Sequence, residues 1–145
     1  MYPLYGVCKE LSERSALIYR SLSYGYKSIL ARCHSKNRKT LSSYFDDDAV
    51  IRWHCTNEQF AVEEYVKVNC DYPGKWKGEL EKIIELDSMI ILAGLVQSED
   101  ESISRHVTSF IKIHDNKITE MDEYWADDGE APSWRKELEI GKPIR

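Results

Sequence analysis

Long apolar runs are missing from this 145-residue sequence. The longest, residues 89–96, has eight residues, whereas a membrane-spanning helix needs roughly 20. The N-terminal residues contain no basic segment followed by a long apolar stretch, so the sequence predicts no secretory signal. We therefore expect a cytoplasmic protein with no transmembrane helix and no membrane partner.

Metal-binding and nucleotide-binding motifs are also missing. Cys8, Cys33, Cys55 and Cys70 are separated by 25, 22 and 15 residues, and neither a CxxC nor an HxxxH or HxH pair occurs. Isolated, reduced cysteines are typical of small buried hydrophobic positions. Because no P-loop, GxSxG or GxGxxG is present either, we expect no metal ion and no organic cofactor.

Positive charge is scarce and unevenly distributed. The chain has 20 Lys and Arg against 25 Asp and Glu, a net charge of −5, with +6 in residues 1–45 and −11 in residues 46–145. We interpret the basic part as the polar side of an N-terminal helix. A nucleic-acid site needs a larger basic patch with interleaved aromatics, so no nucleic-acid partner is expected.

The composition that remains is that of a globular protein, with 42% hydrophobic and 11% aromatic residues. We predict one domain over residues 1–145, with a core at about 15–135 and a loose arm at 1–13. Apolar periodicity predicts helices over 15–34, 37–44 and 57–69, and strands over 49–55, 79–86, 89–96, 104–113 and 118–125. Asp115-Asn116 suits a tight hairpin, and Trp134 is predicted to anchor the C-terminal loop. This order predicts an α+β fold with helices on one face of a bent sheet.

Glu123 is the most unusual residue of the predicted sheet. Alternation along the last strand places Met121, Glu123 and Trp125 on one face, opposite Ile118, Glu120, Asp122 and Tyr124. A carboxylate among apolar neighbours loses hydration, so its pKa should rise unless it finds partners. Glu123 is then either a proton carrier in a pocket or a structural residue paired with Arg, Lys, or a backbone or indole N–H.

The same alternation separates inner from outer residues on two other strands. Ile51, Trp53 and Cys55 should face inward, as should Val107, Ser109, Ile111 and Ile113. Ser109 is either a hydrogen-bond donor to a ligand or to Glu123, or a small spacer in a bent sheet. Phe110, His106 and His54 should face outward, where the exposed Phe110 suggests a homodimer interface.

Several segments carry a family resemblance: residues 44–53 (YFDDDAVIRW), 72–76 (YPGKW), 109–113 (SFIKI), 116–118 (NKI) and 123–125 (EYW). They resemble the nuclear transport factor 2-like superfamily, in its SnoaL-like (polyketide cyclase-like) branch, over about 15–135. The resemblance implies a cone, in which a strongly curved mixed sheet wraps around helices and leaves a pocket open at one end. Relatives include ketosteroid isomerases, limonene epoxide hydrolases, scytalone dehydratase, polyketide cyclases and non-enzymatic binding modules.

The resemblance also suggests site residues. Ser109 matches a catalytic Asp position of the isomerases and epoxide hydrolases, Glu123 lies near an acid of the hydrolases, and Trp53 or Cys55 matches the first-strand base; an acid is kept only at Glu123. We expect Glu123 as proton carrier and Ser109 as donor. The expected substrate-binding residues are Trp53, Cys55, Phe60, Tyr65, Met121 and Trp125, and the expected ligand is a small apolar or aromatic molecule. The alternative is a non-catalytic binding or dimerisation module with a filled core.

Overall fold

The computed structural model describes residues 38–144, so the predicted arm at 1–13 and the predicted helix at 15–34 lie outside the described residues. Three helices and six strands follow one another within this part of the chain. They are α1 (Arg38–Ser42), β1 (Phe45–Trp53), β2 (Glu58–Ala61), α2 (Val62–Cys70), β3 (Trp76–Leu86), β4 (Met89–Ser98), β5 (Ser104–His114), β6 (Lys117–Asp127) and α3 (Ser133–Lys136). Among the helices described, none is long and apolar enough to cross a bilayer.

The six strands form one mixed sheet in the order β2-β1-β6-β5-β4-β3. β1 and β6 are parallel, and every other neighbouring pair is antiparallel. The predicted α+β fold with a curved mixed sheet is therefore confirmed. The chain returns from β5 to β6 through a tight turn in which Asp115 and Asn116 have φ angles of 46° and 63°, the left-handed geometry that a two-residue hairpin requires.

The core lies between the inner face of this sheet and α2. Ile51, Met121, Val96 and Val107 are almost completely buried, and each such side chain stabilises the fold by roughly 1.5–3 kcal/mol. Tyr65 of α2 is also fully buried. Because its ring packs edge-on against Phe45 at a centroid distance of 5.6 Å, the helix is fixed over the start of β1.

The predicted helix over 57–69 is wrong in its first turn. Glu58–Ala61 is an edge strand that pairs with Val50–Trp53 of β1, and α2 begins only at Val62. Asn57 has a φ angle of 58°, so the chain reverses there instead of entering a helix. Phe60 has helical spacing to the apolar residues that follow, but its pairing with β1 is a long-range interaction that periodicity does not register.

Three smaller corrections concern strand ends. β1 starts at Phe45 instead of residue 49, and it ends at Trp53, so Cys55 lies in an exposed turn and not on the strand's inner face. In β6, the register shifts between Lys112 and Ile113 of the opposite strand, and Ile118 is buried instead of sharing the outer face. Trp134 is 62% exposed, so it does not anchor the C-terminal segment.

Candidate functional site

Glu123 lies at the centre of a buried hydrogen-bond cluster. Its side chain is 0% exposed, because β6 places it between Trp53 of β1 and Ser109 of β5. Trp53 Nε1 donates to Glu123 Oε2 at 2.5 Å and Ser109 Oγ donates to Oε1 at 3.2 Å. Trp125 Nε1 also donates to Oε2, at 3.4 Å. The carboxylate therefore has indole N–H partners, as expected if Glu123 is a structural residue.

The two tryptophans separate this cluster from an open cleft. Their ring centroids are 6.4 Å apart with the planes inclined by 67°. Because both N–H groups are directed at Glu123, the hydrocarbon parts of the rings are left to form the cleft wall. The cleft has a volume of about 450 Å³, and we call it the tryptophan cleft; it is lined by Trp53, Cys55, Thr56, Glu58, Tyr72, Arg105, Trp125, Ala126 and Asp127.

Arg105 is the one cation among the described residues that line the tryptophan cleft. Its Nε donates to Asp127 Oδ1 at 2.6 Å and its Nη1 donates to the Tyr72 hydroxyl at 2.7 Å. The guanidinium carbon also lies 5.8 Å from the ring centre of Trp76, within the range of a cation–π contact. The hydrogen bonds to Tyr72 and Asp127 raise the pKa of Arg105 above its ordinary value, so this group is a permanent positive charge.

The structure places the eight predicted site residues in three neighbouring locations. Trp53, Trp125 and Cys55 line the tryptophan cleft. Phe60 lines a neighbouring open groove of about 620 Å³ and packs on Trp53 at a centroid distance of 4.9 Å. The other four are fully buried: Tyr65, Ser109, Met121 and Glu123. None of these four residues is among the described residues that line the cleft.

The outer face of the sheet carries the residues that alternation assigns to it. Phe110 is 36% exposed and contacts Tyr124 edge-on, and Tyr124 stacks on His54 at 4.4 Å. His54 Nε2 is 2.7 Å from Asp122. His106 contacts Asp128 and, at 3.5 Å, Glu81, so both histidines are held in polar pairs on this face.

Sequence reasoning missed Arg105 and Tyr72. Alternation could have found Arg105, because it shares the inner parity of Val107 and Ser109 on β5. Tyr72 follows α2 in a turn, and no periodic signal connects it with a strand 33 residues later. Within residues 38–144, no group of three or more His, Cys, Asp or Glu side chains is arranged to hold a metal ion.

The curved, open sheet of six strands is similar in fold to solved structures described as nuclear transport factor 2-like and SnoaL-like. A candidate ketosteroid isomerase from Kribbella flavida superposes with a TM-score of 0.71 at 16% identity, covering 88% of this chain and 91% of that one.

Two further solved structures give the same result. A nuclear transport factor 2-like protein of unknown function from Burkholderia xenovorans has a TM-score of 0.70 at 18% identity, covering 90% of this chain and 98% of that one. A candidate SnoaL-like polyketide cyclase from Shewanella denitrificans has a TM-score of 0.58 at 14% identity, covering 74% and 89%. No protein-family model and no curated protein matches the chain. Since one fold serves many functions, these similarities establish the fold only. The activity has to be inferred from the residues of the site.

Proposed function

We propose that the protein binds a small apolar or aromatic molecule in the tryptophan cleft. The observation that carries this proposal is the orientation of Trp53 and Trp125, whose N–H groups are directed at Glu123 while their rings line the cleft. A cleft of about 450 Å³ lies within the usual range of small-molecule sites, roughly 300–1,000 Å³. Its mixture of apolar walls and a few fixed polar groups is also typical of such sites.

The test uses a variant that fills the cleft. Cys55 lines it and is exposed in the turn after β1, so Cys55→Trp should obstruct the cleft and leave the core intact. Ala131→Trp places the same indole ring at an exposed position in the C-terminal segment and is the matched control. With 2-naphthamide as a neutral probe, calorimetry should show saturable binding to wild type and to Ala131→Trp, and at least tenfold weaker binding to Cys55→Trp. Absence of binding to wild type would contradict the proposal and favour a non-catalytic module with a filled core.

A second candidate function is acid–base catalysis, favoured by the contact between Ser109 and the buried carboxylate of Glu123. Glu123 would take a proton from one carbon of the ligand and return it to another, so no co-reactant is needed. Ser109 would hold the carboxylate in position by its hydroxyl. This role requires the ligand to reach Glu123 past the tryptophan rings, which must move when it binds.

Deuterium exchange tests that role directly. In D₂O, the α-protons of 2-tetralone should exchange faster with wild type than with Glu123→Gln, followed by proton nuclear magnetic resonance. Glu120→Gln is the control, because Glu120 pairs with Lys112 and Arg52 and does not contact the cluster around Glu123. Equal exchange rates for wild type and Glu123→Gln would remove the catalytic role and leave the binding role standing.

We also propose that the outer sheet face joins two copies of the chain. Phe110 and Tyr124 form an exposed aromatic pair, surrounded by ion pairs that satisfy one another, such as Arg52 with Glu120. Aromatic side chains ringed by paired charges are typical of interface centres, and a twofold axis would place each pair on its equivalent. Wild type should sediment as a dimer at tens of micromolar and Phe110→Glu as a monomer; a monomeric wild type would exclude this interface.

A further inference from the structure

We propose that Arg105 makes the tryptophan cleft selective for an aromatic ligand that carries a carboxylate. This inference rests on the proposed binding function and specifies the class of ligand. Arg105, Asp127 and Tyr72 all line the cleft beside the two tryptophans. One end of a bound molecule would therefore meet aromatic hydrocarbon, and the other end would meet a fixed guanidinium.

The guanidinium is held in place before any ligand arrives. Asp127 accepts from Nε, the Tyr72 hydroxyl accepts from Nη1, and the ring of Trp76 lies 5.8 Å from Cζ. A long arginine side chain normally loses considerable rotamer freedom when it binds an anion. Because these contacts already restrain Arg105 in the free protein, the side chain loses little further conformational entropy when an anion binds, and this favours binding.

Arg105 also keeps donors for a ligand. Its hydrogen bonds to other described residues use only Nε and Nη1, so within residues 38–144 Nη2 donates to no partner. Guanidinium N–H groups form a planar fork that matches the two oxygens of a carboxylate. The tryptophans add no competing donor at the wall, because their N–H groups donate to Glu123.

Among the described residues that line the cleft, Glu58 and Asp127 are acidic and would repel a bound carboxylate. The degree of burial determines whether their repulsion or the attraction of Arg105 is stronger. The Asp127 side chain is 79% exposed, against 26% for Arg105, and Glu58 is exposed and accepts from Thr56 Oγ1. Exposed charges are screened by water and salt, whereas a partly buried charge is screened less. A carboxylate in the cleft would therefore interact more strongly with Arg105 than with either acid.

The test compares two probes of equal shape, 2-naphthoate and 2-naphthamide, by isothermal titration calorimetry at neutral pH and 150 mM salt. Wild type should bind the carboxylate at least tenfold more tightly, since hydrogen bonds to charged groups are the stronger class. Arg105→Gln should remove that preference, so that the variant binds the two probes with affinities within about twofold of each other. Arg135→Gln is the matched control: Arg135 also lies over a tryptophan ring, that of Trp134 at 5.9 Å, but does not line the cleft.

Asp127→Asn gives an independent test in the opposite direction. It removes the rim carboxylate that competes for Arg105, so binding of 2-naphthoate should become several-fold tighter and binding of 2-naphthamide should not change. Equal affinities of wild type for the two probes, or an Asp127→Asn variant that binds the carboxylate no better, would overturn the role of Arg105 and leave the binding function intact. If wild type binds neither probe, the binding function itself fails as well.

Discussion

Removing the carboxylate of Glu123 should destabilise the protein mainly through Trp53 and only weakly through Trp125. Both indoles donate to the same oxygen, Oε2, but at 2.5 Å and 3.4 Å. Glu123→Leu keeps a side chain of similar size and leaves the N–H groups without this acceptor. Trp53→Phe and Trp125→Phe each remove one N–H group while an aromatic ring is kept. Wild type, the three single variants and the two double variants with Glu123→Leu form two double-mutant cycles that share one acceptor.

The expected coupling energies follow from these distances. A hydrogen bond to a charged group contributes about 1.5–3 kcal/mol net, and the 2.5 Å separation between Trp53 Nε1 and Glu123 Oε2 is shorter than is usual for an N–H donor. We therefore expect a coupling of about 2 kcal/mol between Trp53 and Glu123. At 3.4 Å the bond is near its geometric limit, so the coupling between Trp125 and Glu123 should be about 0.5 kcal/mol or less.

Urea unfolding followed by far-ultraviolet circular dichroism measures both cycles without relying on tryptophan fluorescence, which the substitutions change. Each coupling energy is the part of the double variant's free energy of unfolding that the two single variants do not account for. Equal couplings for the two indoles, or a coupling between Trp53 and Glu123 below about 0.5 kcal/mol, would refute the hydrogen-bond arrangement at the centre of the site.

Three further outcomes test the fold around the site. The pKa of Asp100 is lowered to about 2, and the hydrogen bond from the Ser98 hydroxyl is the largest cause. This shift stabilises the folded protein at pH values above the unfolded pKa of about 3.9, and the stabilisation is lost as the pH falls toward 2. Ser98→Ala should raise the Asp100 pKa in a carboxyl-carbon titration and reduce that acid loss, and an unchanged midpoint would contradict the assignment. Asn116→Val should cost about 1–2 kcal/mol in urea unfolding, because a β-branched residue disfavours a positive φ, whereas Asn116→Gly should cost nothing measurable. Leu92→Ala should cost about 2–5 kcal/mol and the exposed Ile84→Ala much less; equal losses would place the core elsewhere.

Alternation along the strands predicted the buried cluster because it depends only on local geometry. Side chains two residues apart share a face, so alternation alone predicts that Ser109 and Glu123 both face inward. The structure confirms this assignment, since both are fully buried and lie opposite each other in the β5–β6 register. Their catalytic roles stay predictions.

The same reasoning fails where long-range contacts decide the conformation. Glu58–Ala61 has only four residues, too few to show a period of its own, and it is a strand because it pairs with the end of β1. Likewise, alternation predicts Cys55 on the inner face, but β1 ends at Trp53. Beyond the last paired residue of a strand, alternation no longer determines the direction of a side chain. The hydrogen bond between Arg105 and the Tyr72 hydroxyl joins residues 33 positions apart in the chain, so no local pattern predicts it.

Binding of a small aromatic molecule in the tryptophan cleft should be visible in the indole region of a ¹H–¹⁵N correlation spectrum. The chain has four tryptophans, two of which line the cleft, while Trp134 is exposed and is not among the lining residues. As 2-naphthamide is added, the indole signals of Trp53 and Trp125 should shift together and saturably, and that of Trp134 should stay in place. If the Trp53 and Trp125 signals do not move, or if only Trp134 responds, the cleft is not the binding site.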